Sequence, residues 1–340
     1  MADLTFIIWA MKGNKVPTNV SFGYPNPERL LPELKKLGLD VQVIETRNYS
    51  SAQPYREISK QINSQKILWE WEYFAKTHDF NQIFNLKKDL FLIPHHEVKD
   101  FTGCEASILK NSVTILSFEE SKRLWSSLCP AEASKIEVIR TPTRLGRELD
   151  KSDSKMHLGI KTKYSIICWG FYFDKGYDKI IPWLEQWHDV SLLFCGSSSY
   201  DLKGDFKSKC EQEARKLKVG ERVFFSEEGI SLEKSDDWFS AADLCTCPRT
   251  TFGISTAIDV IGHSKCFITP SVSGPYSAYL KEISNLSGIV VSANIQETTK
   301  ELLNDEAKRK VYELLSGKYA RENSFEEYAK KLVKIMEKQK

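Results

Sequence analysis

Short apolar runs of four to six residues, each closed by polar or turn residues, punctuate the chain: LTFIIW (4–9), VQVIE (41–45), DLFLI (89–93), VTIL (113–116) and IEVI (136–139). Runs of this length fit strands buried on both faces of a sheet. Between them lie stretches with helical spacing. In NPERLLPELKKLG, for example, Leu30, Leu31, Leu34 and Leu37 share a face and Gly38 supplies the stop. Strands alternating with helices predict a parallel sheet. A second series follows residue 163: YSIICWG, a helix around 178–187, VSLLFCG, a helix near 205–218, RVFFSEE, DLCTCP, a helix from about Ile254, KCFITP, a helix near 276–283, and GIVVS. In 140–163 the apolar periodicity lapses while charge, Pro, Gly and Ser accumulate, so the connection between two domains, and its hinge, is expected there. The closing NSFEEYAKKLVKIMEKQK opens on an Asn/Ser cap and places Phe325, Tyr328, Leu332 and Ile335 on one stripe, predicting an amphipathic helix docked on a domain.

The 340 residues and 41% hydrophobic content suit two α/β domains of about 150 residues each. A formal charge of +2 gives no overall field that demands nucleic acid or an anionic membrane as partner. The eight cysteines are scattered, several inside apolar runs, and are read as reduced and buried. Cys245 and Cys247 form C-x-C with no second pair at zinc-like spacing, so no metal site is expected. No stretch is apolar enough to span a bilayer, and the N-terminal run lacks a basic flank and a cleavage site. These features predict a cytoplasmic protein, at most peripheral to a membrane, with the lysine-rich tail a solvated helix face.

In open α/β sheets ligands bind beyond the C-terminal ends of the strands, where helix N-termini favour phosphate. Four loops qualify: WGFYFDKG (169–176), FCGSSS (194–199), CPRTTFGISTAID (247–259) and IPHHEVKD (93–100). In the third, Gly253, Ser255 and Thr256 put small residues and free N–H groups at a helix start, with Asp259 about one turn inside. This is a candidate diphosphate cradle, to which Lys175 and Arg249 can add positive charge. The plainer alternative makes Lys175 and Arg249 solvated surface charges and Asp259 a helix residue facing water. His95 and His96, with Glu97, follow a strand in the N-terminal half; adjacent His side chains point apart, which argues against a shared metal. Trp69, Trp71, Tyr73 and Phe74 in ILWEWEYF are read as core, whether the segment is helix or strand.

The order of these segments resembles retaining GT-B glycosyltransferases of the large E-x7-E signature family, the family 4-like enzymes. SVTILSFEESKRL, KIEVIRTPTRLG, IICWGFYFDKGYDKII, VSLLFCG, VGERVFFSE, AADLCTCPRTTFGISTAIDVIGHSKCFITP and NSFEEYAKKL carry the resemblance, from about residue 85 to 335. It implies two Rossmann-like doubly wound parallel-sheet domains facing a cleft. Residues 1–148 would be the acceptor side, 149–321 the donor side, and 322–340 a helix crossing back to the N-terminal domain. It also implies a sugar transferred with retention from a nucleoside diphosphate sugar, without metal or other cofactor. The acceptor is left open among glycan, lipid, small molecule, protein and modified DNA base. Carried over by position, Lys175 and the N–H groups of Gly253, Ile254, Ser255 and Thr256 would bind the diphosphate, and Asp259 would hold the ribose hydroxyls. Gly170 and Arg249 would border the donor, and His95 or His96 would reach the transferred sugar. The first signature Glu falls on Thr250 or Thr251, either able to bond a sugar hydroxyl, and the family's Arg falls on Phe171. Two other classes stay open: a sugar-nucleotide epimerase of the same fold, and a non-catalytic sugar-nucleotide or glycan-binding protein.

Overall fold

The computed structural model describes residues 2–8, 27–45, 54–71, 83–84, 86–94, 109–170, 176–196, 205–227, 230, 232–249, 254–271 and 276–338. The chain divides into two compact units. Unit 1 takes the described residues up to Pro142 and again from Phe325; unit 2 takes Thr143–Ser324.

Unit 1 contains strands β1 (Leu4–Ile8), β2 (Val41–Glu45), β3 (Lys66–Trp71), β4 (Asp89–Pro94), β5 (Val113–Leu116) and β6 (Ile136–Val138). Its described helices include α1 (Pro27–Lys36), α2 (Pro54–Gln61) and α3 (Glu119–Leu128). The strands pair in parallel in the order β2-β1-β3-β4-β5-β6. Side chains alternate across the sheet. Leu4, Phe6 and Ile8 join Leu68, Phe91, Ile93 and Ile115 on one face, while Ile7, Ile67, Trp69, Leu90 and Leu92 join α2 and α3 through Ile58 and Trp125 on the other. The aromatic run at 67–74 is thus a strand as far as Trp71, with Trp69 in the core.

Unit 2 begins with α4 (Lys151–His157) and continues with β7 (Tyr164–Trp169), a 3-10 helix (Tyr177–Glu185), β8 (Val190–Cys195), α5 (Asp205–Lys216) and β9 (Val223–Phe225). It proceeds through α6 (Leu232–Ala241), β10 (Leu244–Thr246), α7 (Ile254–Gly262), β11 (Phe267–Thr269), α8 (Tyr276–Ser284) and β12 (Ile289–Val291). Helices α9 (Ile295–Asn304) and α10 (Glu306–Glu322) complete it. Its strands are also parallel, in the order β12-β11-β10-β7-β8-β9. Central β7 and β8 are buried apolar runs, as strands covered on both faces must be.

Some sequence expectations are refined. The helix expected around 178–187 is 3-10 rather than α, with Pro182 inside it unable to donate the bond that an α-helix requires. The stretch 140–163 is not bare connection, because Asp150 caps α4 by accepting the N–H groups of Ser152 and Asp153 at 2.8 and 3.0 Å. The first and last residues of unit 2 lie side by side. Thr143 pairs with Ser324, its N–H donates to Asn323 O at 2.8 Å, and its hydroxyl donates to Ala320 O at 3.0 Å. Asn323 serves the end of α10 rather than the next helix, its side-chain amide donating to Tyr319 O at 2.9 Å. Helix α11 (Phe325–Lys338) then returns the chain to unit 1, burying Tyr328, Leu332 and Ile335 against Leu30 and Leu34 of α1. Six of the seven described cysteines are buried; Cys129 is half-buried.

Candidate functional site

The sheet of unit 2 reverses direction between β7 and β10, its first and fourth strands, which run side by side with Ile166 opposite Leu244 and Ile167 opposite Cys245. A doubly wound sheet opens a crevice for ligands where connections leave neighbouring strands toward opposite faces. At the end of β7, Gly170 takes φ +69° and donates its N–H to Cys195 O at 3.0 Å. The chain returns at Gly176, also at φ +69°, a left-handed turn that suits glycine. There the wholly buried Tyr177 donates its hydroxyl to Trp169 O at 2.6 Å, tying itself to the end of β7. A Cβ placed on Gly176 would lie 3.6 Å from Cγ of Pro248. Gly176, where the described chain resumes after β7, and Pro248, just past β10, therefore lie against each other, with Arg249 half-buried next to Pro248.

Helix α7 follows β10 and buries Ala257, Ile258, Val260 and Ile261, so it is apolar nearly all round. Its one acidic residue, Asp259, is 8% exposed. That overturns the reading of Asp259 as a helix residue facing water. Its Oδ2 accepts the indole N–H of Trp169 at 2.9 Å, bringing the end of β7 onto α7. One turn later His263 donates Nδ1–H to Asp259 O at 2.8 Å; a carbonyl can only accept, so that nitrogen carries the proton. Nε2 of His263 lies 3.0 Å from Oδ1 of Asp236 and 3.2 Å from Nη1 of Arg144. Arg144 grips Asp236 with two bonds of 2.7 Å. Burial opposes the charge of Asp236, but His263 and Arg144 outweigh it and hold the carboxyl down at about 2. Phe239 stacks on the His263 ring at 3.8 Å and lies 4.9 Å from the Trp169 ring.

Of the residues singled out in the sequence, Gly170, Arg249 and Asp259 fall in this region of unit 2. Ile254 and Ser255 open α7, their side chains outside the described set. Lys175, Thr250, Thr251 and Gly253, and His95 and His96 of unit 1, lie outside the described residues. Sequence reasoning missed Trp169, Asp236, Arg144 and His263. The spacing from Asp259 to His263 puts them on one helix face and was a usable signal. Arg144 and Asp236 are 92 positions apart and offer none. No group of three or more His, Cys, Asp or Glu residues forms a metal-binding cluster among the described residues. Among them, too, no helix is long and apolar enough to cross a membrane.

No protein-family model matches the sequence, and no curated protein matches it by sequence. Solved structures do. A glycosyltransferase from Rickettsia africae superposes with a TM-score of 0.71 at 14% identity, over 98% of this chain and 97% of that one. HepE from Anabaena, solved in complex with UDP-glucose, gives a TM-score of 0.64 at 12% identity, over 99% and 100%. The trehalose 6-phosphate synthase of Burkholderia multivorans gives 0.61 at 9% identity, over 98% and 96%. The fold is that of the GT-B glycosyltransferases: two Rossmann-like units, each built on a parallel six-stranded sheet with flanking helices.

Proposed function

We propose that the chain transfers a sugar from a nucleoside diphosphate sugar bound by unit 2. The observation that carries this is the switch point between β7 and β10, where Gly176 approaches Pro248 and the last residue of β7, Trp169, bonds a buried helix-borne carboxylate, Asp259. An acidic residue near such a switch point suits ribose hydroxyls, and a helix N-terminus entered from a glycine-containing loop suits a diphosphate. The UDP and UDP-glucose complexes of HepE support a uridine nucleotide as the first donor to test.

In this reading the bond between the anomeric carbon and the diphosphate breaks as the acceptor oxygen attacks. The departing diphosphate gathers negative charge, which Lys175, Arg249 and the N–H groups from Gly253 to Thr256 stabilise. No metal is needed for that role. Asp259 orients the ribose, Thr250 and Thr251 bond sugar hydroxyls, and His95 or His96 approaches the transferred sugar. Retention at the anomeric carbon follows from the family resemblance.

The test measures release of nucleoside diphosphate from uridine, guanosine, adenosine and thymidine diphosphate sugars by the wild type, Lys175→Ala and Asp259→Ala. One donor should be turned over, with Lys175→Ala slower by roughly a hundred-fold. Full activity in Lys175→Ala would remove that residue from the mechanism. Nucleotide binding without release would make the chain a binding protein, and conversion of the donor to an isomer without acceptor would make it an epimerase.

A further inference from the structure

We propose that Trp169 is a positioning residue of the donor site, its indole N–H fixing the Asp259 carboxylate in the orientation that receives the ribose hydroxyls. This rests on the transferase reading above and names the device that sets its recognition of the donor ribose. An aspartate on a helix ordinarily rotates among several rotamers. Here Oδ2 is held at 2.9 Å by a group that can only donate, which fixes the plane in which the carboxylate, an acceptor at about four lone-pair positions, is presented.

The indole is itself immobilised. Trp169 is 6% exposed, its carbonyl is held by Tyr177 and its ring packs on Phe239. Phe239 also stacks on His263, which bonds the carbonyl of Asp259. The side chain and the main chain of Asp259 are therefore anchored through one packed column of rings. Anchoring of this kind lowers the ordering cost of binding and concentrates the gain on ligands bearing the hydroxyls.

The experiment is calorimetric titration of the wild type, Trp169→Phe, Asp259→Asn and the double variant with UDP and with 2′,3′-dideoxyuridine 5′-diphosphate. The wild type should prefer UDP. Trp169→Phe should weaken UDP roughly ten-fold or more while leaving the dideoxy nucleotide unchanged, and should add nothing on top of Asp259→Asn. Equal weakening of both ligands would reduce Trp169 to a structural role, and an undiminished preference for UDP would remove it from recognition. A wild type that binds both nucleotides equally refutes ribose recognition by Asp259 and this proposal with it. A wild type that binds neither nucleotide, and is silent with every donor, refutes the transferase reading instead. Should Trp169→Phe fail to fold, the wild type labelled at its indole nitrogens decides. The indole resonance displaced by Asp259→Asn should move on addition of UDP and stay in place with the dideoxy nucleotide; a resonance indifferent to UDP overturns the proposal.

Discussion

Replacing Asp236 with Asn tests whether the charge at the centre of the Arg144–Asp236–His263 set stabilises unit 2. The carboxyl is wholly buried, accepts two bonds of 2.7 Å from Arg144, lies 3.0 Å from Nε2 of His263, and is held at about 2 against an ordinary value of 3.8. Ionisation is thus favoured in the folded chain over the unfolded one by about 2 kcal/mol. Asn keeps the shape but loses that contribution, and it sets an amide N–H₂ where one of the Arg144 N–H groups donates. Arg144 and His263, with side chains 17% and 4% exposed, are left with little solvent to replace the charge. Breaking a buried pair from one side commonly costs ~3–5 kcal/mol, which bounds the loss from above. For a unit of this size the expected fall in melting temperature at pH 7 is roughly 5–10 °C. The sign with pH follows from the direction of the shift. A carboxyl lowered by folding stabilises above its unfolded value near 3.8, and that stability is lost as pH falls through about 2. Urea unfolding of wild type and Asp236→Asn at pH 7 and at pH 2.5 should show a gap that narrows with acid. Equal stability of the two proteins at pH 7, or a gap of the same size at both values, would falsify this account of the set.

Three further outcomes follow from the packing of the described residues. A Cβ on Gly146 would lie 2.3 Å from Cδ2 of His263, whose ring is held by Asp236, the carbonyl of Asp259 and the face of Phe239 and so has nowhere to retreat. Gly146→Ala should destabilise by roughly 1–3 kcal/mol in urea unfolding, and wild-type stability would mean that the ring is not clamped. Burial pushes the thiols of Cys168, Cys195 and Cys266 well up and that of Cys210 up to about 12. Among the described cysteines, Cys129 alone should react quickly with a disulfide reagent in native buffer, the other six waiting for unfolding; Cys129→Ser identifies it. Because a thiol raised by folding stays protonated while its unfolded counterpart ionises, stability should fall as pH rises above about 9. A flat stability curve between pH 8 and 10 contradicts those burials.

What the sequence made legible was whatever is written in local apolar pattern. Runs such as VTIL and VSLLFC mark central strands because a strand covered on both faces tolerates little else. Helix α10 escaped that reading for a physical reason. Its buried positions include Arg309, Ser316 and Gly317, while Val311 and Leu314 are 55% and 71% exposed, so its apolar residues do not mark its inner face. Arg309 is satisfied there by the carbonyls of Leu302 and Leu303, at 2.8 and 3.1 Å, rather than by any pattern visible along the helix.

The candidate site divides in the same way. Asp259 could be found because it sits one turn into a helix that follows a strand and a glycine-containing loop, and that arrangement is local in sequence. Its fixing partner Trp169 lies 90 residues away, and nothing local in the WGFYFDKG segment ties its first residue to Asp259. The same holds for Arg144, which comes from the stretch read as connection and completes a buried charge set in the middle of unit 2. Local pattern places the groups that would touch a ligand; the groups that would orient them are set by strand order, and strand order is decided by long-range pairing. Trp169 meets Asp259 because β7 and β10 are neighbours, although β8 and β9 come between them in the chain. An orienting group of this kind is therefore better sought across the switch point than beside the residue it holds.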